Sequence, residues 1–269
     1  MNTRFKTFII NMKKDSDRLA FMSDQLRKLN IDFTLQEGID GKKHDFSGIY
    51  DEALTKKING SPMADTEKGC ALSHRLAVEK LLSSNENYGL IMEDDIELPE
   101  NFKNIIEREL EKREAGKTSW EYLSFNYPPV GWRSSKLWLF LFSSMFKRNK
   151  KSFVFYLKLP IFLIKFISIS ILYMLEGARE SVYKIIYKNG KPALFYRPLY
   201  LAGCYLINKE GAKKLLSVND KLVYTADRLP NVARVEKGLK FYAFIPLLVY
   251  QRQDKFRSNN VPEVTYLFK

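Results

Sequence analysis

The sharpest chemical feature of this chain is LIMEDDIEL, residues 90–98, where Glu93, Asp94 and Asp95 follow an apolar run without a break. Three consecutive carboxylates repel one another and resist dehydration, so a cation must offset their charge where the turn is buried. A hard divalent ion with oxygen ligands does so and can hold two nucleotide phosphates at the same time. As a Lewis acid it would stabilise a departing diphosphate. The competing reading is a solvated acidic turn ahead of a helix, with Asp95 or Glu97 near the positive helix end.

A second run, TEKGCALSH, covers residues 66–74. Gly69 would let backbone approach a ligand closely, and Ser73 and His74 lie one to two turns into a helix. Taken alone, the run reads better as packing, with Cys70, Leu72 and Leu76 in the core and His74 satisfied structurally. FIINMKKDSDR (residues 8–18) and EGIDG (residues 37–41) are polar strand ends suited to a nucleobase and ribose, though neither is specific.

Elements at both ends of the chain must position these groups. Residues 5–12 read as a short buried strand. The helix expected over 17–29 is capped by Asp15 or Ser16 and carries Leu19, Met22, Leu26 and Leu29 on one face. A second strand over 32–36 ends in the turn Asp40-Gly41. This strand–helix–strand opening begins an α/β sheet with helices packed on it. A helix to about Leu82, a strand over 88–92, a helix over 101–114 and a strand from Tyr122 follow. Ligands in such sheets sit beyond the carboxyl ends of strands, where the acidic triplet falls. Further on, 195–208 reads as paired strands, 209–216 as a short helix, and 239–250 as a last strand pair interrupted by Pro246.

Between Tyr122 and Leu175 the character changes: no acidic residue, eight Lys or Arg, and two apolar runs over 137–146 and 153–175. Residues 159–175 are short for a spanning helix and carry Lys165 near the centre. Flanking lysines among Phe, Trp and Tyr suit a segment lying in a membrane interface against anionic headgroups. The alternative is an additional core helix pair or an oligomer contact.

Composition bounds the partners. Lys+Arg 44 against Asp+Glu 31 gives a formal charge of +13, which points to an anionic partner. Nucleic acid is disfavoured, because much of the excess lies in one apolar region and the triplet would repel phosphate without a metal. Cys70 and Cys204 make no disulfide framework, and with two histidines no zinc-spaced cluster is visible. The apolar stretch around residues 8–12 is too short for a secretory leader, so the expected location is cytoplasmic.

In order along the chain, FIINMKKDSDR, EGIDG, EKGCALSH, LIMEDDIEL, AGCYLINKEGAKKLL and FIPLLVYQ resemble the landmarks of glycosyltransferase family 25. These are bacterial lipooligosaccharide sugar transferases related to collagen galactosyltransferases. The likeness covers about residues 5–101 and 200–258 and leaves 131–192 unmatched. It implies a GT-A-type, Rossmann-like nucleotide-sugar domain over 1–269 with a mixed central sheet, and with 131–192 as a membrane-surface or acceptor-side insertion. It also implies a divalent metal, manganese or magnesium, and a UDP-sugar donor, with galactose first among several sugars. The acceptor would be a lipid-linked or lipopolysaccharide glycan, reached from the inner face of the cytoplasmic membrane. Carried over by position, Asp95 binds the metal, and Glu93 or Asp94 takes the ribose or a metal-bound water. Asn11, Arg18 and Asp40 face the nucleotide, and Ser73 and His74 lie close to the donor. Asp227, in Thr225-Ala226-Asp227-Arg228, is the expected general base of an inverting displacement. Many enzymes of this fold place a C-terminal histidine on the metal. No His follows His74 here, so Gln251, water or nothing takes that place, and an inactive scaffold of the same fold is the alternative.

Overall fold

The computed structural model describes residues 4–126, 181–184, 187–188, 191–192, 202–245, 248–252 and 255–256. Its centre is a seven-stranded sheet of order β2-β1-β3-β9-β5-β10-β6. The strands are β1 (Lys6–Asn11), β2 (Thr34–Glu37), β3 (Tyr88–Glu93), β5 (Tyr122–Ser124), β6 (Ser181–Lys184), β9 (Cys204–Asn208) and β10 (Phe241–Ile245). β2, β1 and β3 pair in parallel, β9 runs antiparallel to both β3 and β5, and β10 is parallel to β5. The sheet is therefore mixed, and the α/β class expected from the sequence holds.

Alternation along the strands sorts the core into two layers. Ile9, Leu90, Met92, Cys204, Leu206 and Leu123 face one side, against Met22 and Leu26 of α1 (Ser16–Lys28) and Phe102, Ile105 and Ile106 of α4 (Phe102–Glu114). Phe8, Ile91, Tyr205, Ile207 and Tyr122 face the other side. There they meet Ala77, Val78 and Leu81 of α3 (Asp65–Ser83), Leu215 of α5 (Lys209–Ser217) and Ala233 of α6 (Leu229–Lys237). Each fully buried Leu, Ile or Phe contributes about 1.5–3 kcal/mol of transfer free energy, so the two layers supply the main driving force for folding.

Several features differ from the sequence reading. Asp15 sits at the N-cap of α1 but gives no side-chain cap hydrogen bond. Helix α2 (Glu52–Asn59) was not anticipated; Asp51 caps it by accepting from Leu54 N, and Gly60 closes it in the left-handed region. Of the pair expected over 195–208, only β9 lies among the described residues. The last two strands do not pair with each other. β10 completes the main sheet, whereas β11 (Tyr250–Gln251) pairs antiparallel with β4 (Ile96–Glu97), the strand just after the acidic triplet. Two further short strands, β7 (Tyr187–Lys188) and β8 (Lys191–Pro192), pair with each other. The basic apolar stretch lies otherwise outside the described residues. Among those described, no helix is long and apolar enough to cross a membrane.

Candidate active site

Parallel pairing brings Asn11, Glu37 and Glu93 to one sheet edge, because β1 registers Ile10 against Glu93 and Asn11 against Glu37. The acidic triplet leaves that edge as a tight turn fixed by backbone bonds. Glu93 N donates to Gly203 O at 2.9 Å, and Arg252 N donates to Asp95 O at 2.7 Å. Gln25 of α1 clamps the next strand: its Nε2 donates to Ile96 O and its Oε1 accepts from Leu98 N.

The three carboxylates have three different environments. Asp94 is buried and neutralised: Arg18 donates to its Oδ1 at 2.8 Å and Asn11 Nδ2 to its Oδ2 at 2.7 Å. A buried, hydrogen-bonded ion pair of this kind sets geometry more than it adds stability. Glu93 points toward α3 and β11. Its Oε1 lies 3.4 Å from His74 Nε2, and its Oε2 accepts from Gln251 Nε2 at 3.0 Å. Burial works to raise its pKa, but His74, Gln251 and the Arg18 charge outweigh that and hold it below the usual range. Asp95 is buried too, yet among the described residues its Oδ1 has no hydrogen-bond partner, and Arg18 is 3.8 Å from its Oδ2. Burial first, then the charges of Glu93 and Asp94, push its pKa up to about 7 against the pull of Arg18.

The remaining expected residues divide. His74 joins the triplet through Glu93, and its Nδ1 lies 3.1 Å from Tyr205 Oη. Ser73 does not present its hydroxyl to a cleft: Oγ accepts from Ile39 N at 2.8 Å and donates to Gly69 O at 2.7 Å. Gly69 likewise serves backbone, not ligand, because a Cβ there would run into the Ile39 carbonyl oxygen. Gly41 answers it, with a Cβ position blocked by the Asp65 carbonyl. Together they seat the 38–41 turn on the N-terminus of α3. Asp40, in that turn, is half-exposed and accepts from Lys42 N at 3.1 Å. Asp227 lies on the turn before α6 and accepts from Ala202 N at 2.7 Å. Its neighbours Ala202 and Ala226 line one cavity with Tyr122, Tyr205 and His74. Tyr122 stacks on Tyr205 at 4.6 Å between centroids, and Tyr205 stacks on His74 at 5.8 Å. The Tyr122 hydroxyl is raised by burial and then by charges that include both Asp227 and Glu93.

Sequence reasoning passed over Cys70, assigning it to the core. Its Sγ lies 3.9 Å from Glu93 Oε1, and the signal available was its i,i+4 spacing to His74 on one helix face. Tyr205 and Gln25 were missed as well. Their roles depend on strand and helix partners 131 and 71 residues away, which no local pattern reports.

Comparison with known proteins bears on this geometry. Residues 5–230 match the sequence profile of Glycosyltransferase family 25 (LPS biosynthesis protein). The chain is similar to Procollagen galactosyltransferase 1-B of Xenopus laevis, 27% identical over 124 residues, which is 44% of this chain and 20% of that protein. It is equally similar to Inactive glycosyltransferase 25 family member 3 of Homo sapiens, 27% identical over 44% of this chain and 21% of that protein. The match thus spans about a fifth of these curated relatives. Among solved structures, A197 from STIV covers 93% of this chain, with 85% of its own chain covered, at 12% identity and a TM-score of 0.42.

Proposed function

Because the chain belongs to glycosyltransferase family 25, we propose that it moves a sugar, galactose first among the candidates, from a UDP-sugar to a glycan hydroxyl. The observation that carries this reading is the Asp95 carboxylate, buried at the carboxyl end of β3 with Oδ1 unpartnered among the described residues. Left ionised, that oxygen is costly, and a hard divalent ion is the partner whose chemistry suits it. The residues present therefore fit the manganese or magnesium ion that the family resemblance implies. When bound, the ion would supply Lewis-acid stabilisation of the departing diphosphate.

The protein's own groups do the rest. Asp95 would hold the ion, with Glu93 second and the Gln251 amide oxygen as the other available donor. Arg18 and Asn11 keep Asp94 fixed, so the turn meets the donor in one conformation. Asn11, the 38–41 turn with Asp40, and Arg18 would border the nucleotide. Asp227 would accept the proton of the acceptor hydroxyl as its oxygen bonds to the anomeric carbon and the bond to UDP breaks, inverting the centre. The acceptor would be a lipid-linked or lipopolysaccharide glycan at the inner, cytoplasmic face of a membrane. The basic apolar segment 131–192 would approach the anionic headgroups.

Gln251 beside Glu93, where a metal-binding histidine would be expected, favours one second reading: a catalytically inactive member, as the human relative is named. A panel of UDP-sugars with manganese and a lipid-linked glycan separates the two. Transfer or slow hydrolysis of one donor supports the enzyme; release of UDP from none of them supports the inactive scaffold.

A further inference from the structure

We propose that Cys70, His74 and Glu93 form a zinc-binding site, a thiolate–imidazole–carboxylate set distinct in chemistry from the hard-ion site at Asp95. The ligand atoms of the three residues all lie within 4.8 Å of one another. A tetrahedral zinc ion with Zn–N near 2.0–2.1 Å, Zn–O near 2.1 Å and Zn–S near 2.3 Å needs N···O of about 3.4 Å and S···O of about 3.6 Å. The observed His74 Nε2···Glu93 Oε1 separation is 3.4 Å, and Cys70 Sγ···Glu93 Oε1 is 3.9 Å. Two edges of the tetrahedron are thus close to length, and the Cys70 Sγ to His74 edge is at most 4.8 Å. Only the thiol must close in.

Further features fit. Cys70 and His74 sit four residues apart on α3, so one helix face carries both, while β3 brings Glu93 from a separate element. Such a set is held by tertiary structure and does not rely on one flexible loop. The second nitrogen of His74 has its own partner, Tyr205 Oη at 3.1 Å, the outer hydrogen bond that orients ligating histidines. A tyrosine hydroxyl both donates and accepts, so the proton can sit on Nδ1 and leave the Nε2 lone pair facing Glu93. Charge also balances, since thiolate plus carboxylate neutralise one zinc ion. Glu93 keeps 23% of its side chain exposed, so the set is not sealed from solvent, and water would fill the fourth position. Manganese and magnesium prefer oxygen and would choose Asp95; zinc alone among these ions gains from the sulfur.

Tag-free, metal-free protein titrated with cobalt(II), the spectroscopic stand-in for zinc, tests this. One equivalent of cobalt should produce a thiolate-to-cobalt charge-transfer band and intense visible bands of a four-coordinate ion, both bleached by zinc. Cys70→Ala and Cys70→Ser should abolish the thiolate band and weaken zinc binding, read against a chromophoric chelator, by roughly a hundredfold. The only other cysteine, Cys204, is fully buried, so the two variants isolate the ligand. Absence of the band in the wild-type protein overturns the site, as does its survival in the folded Cys70 variants. If the sugar-transfer reading also holds, zinc would compete for Glu93 and inhibit. The cobalt spectrum does not depend on that reading.

Discussion

Asp95 shows how one atom's environment becomes a measurable property. A carboxyl whose folded pKa is about 7, against 3.8 ordinarily, binds more protons folded than unfolded between those values. Stability of the metal-free protein should therefore fall as pH rises from about 4 to 7 and stay low above that. Glu93, held low, contributes in the opposite sense, and its contribution is lost only as pH falls below its ordinary value near 4.5. Thermal denaturation at pH 8 without metal should place Asp95→Asn several degrees above wild type, with a flatter pH profile. Manganese should raise the wild-type midpoint and leave the variant unmoved; a variant less stable than wild type in EDTA would remove the argument. Asp227 calls for a subtler change, because its Oδ1 also holds Ala202 N. Asp227→Asn keeps that acceptor but cannot take a proton. Turnover should fall roughly a hundredfold with donor KM unchanged. Raised donor KM with turnover intact would instead put Asp227 on the donor.

At the scale of elements, the site depends on how tightly the 38–41 turn sits on α3. Gly41→Ala drives a methyl group into the Asp65 carbonyl, a backbone atom that cannot step aside. Chemical denaturation should show a loss of about 2 kcal/mol or more, and a loss under half of that would mean the turn is loosely seated. That seating also explains what could be read in advance. The strand ends and the acidic turn were legible because apolar runs and charge are local signals. The seating of Ser73 and Gly69 was not legible because their partners, Ile39 and Gly41, come from another element. Helices α2 and α6 carried readable punctuation, Asp51 to Gly60 and Pro230 to Gly238, yet their short apolar patterns fell between stronger ones. The β4–β11 pairing, which brings Gln251 to Glu93, joins residues about 155 apart and has no sequence signature.

For the whole molecule, the formal charge of +13 and the cluster of cations over residues 122–175 set the expected partner surface. Each cation near an anionic leaflet contributes about 1 kcal/mol, weakened by salt. The protein should sediment with anionic vesicles and be partly released at high salt. Replacing Lys147, Arg148, Lys150 and Lys151 with Gln should weaken the binding, whereas indifference to vesicles would assign the segment to an acceptor or subunit contact. The central claim is that the turn after β3 seats a divalent ion together with the donor diphosphate. Calorimetric titration of UDP into wild type and Asp95→Asn, with manganese and with EDTA, tests it most directly. Binding should require manganese in the wild type and be lost in Asp95→Asn; UDP binding of equal strength in EDTA, or equal strength in the variant, would contradict it.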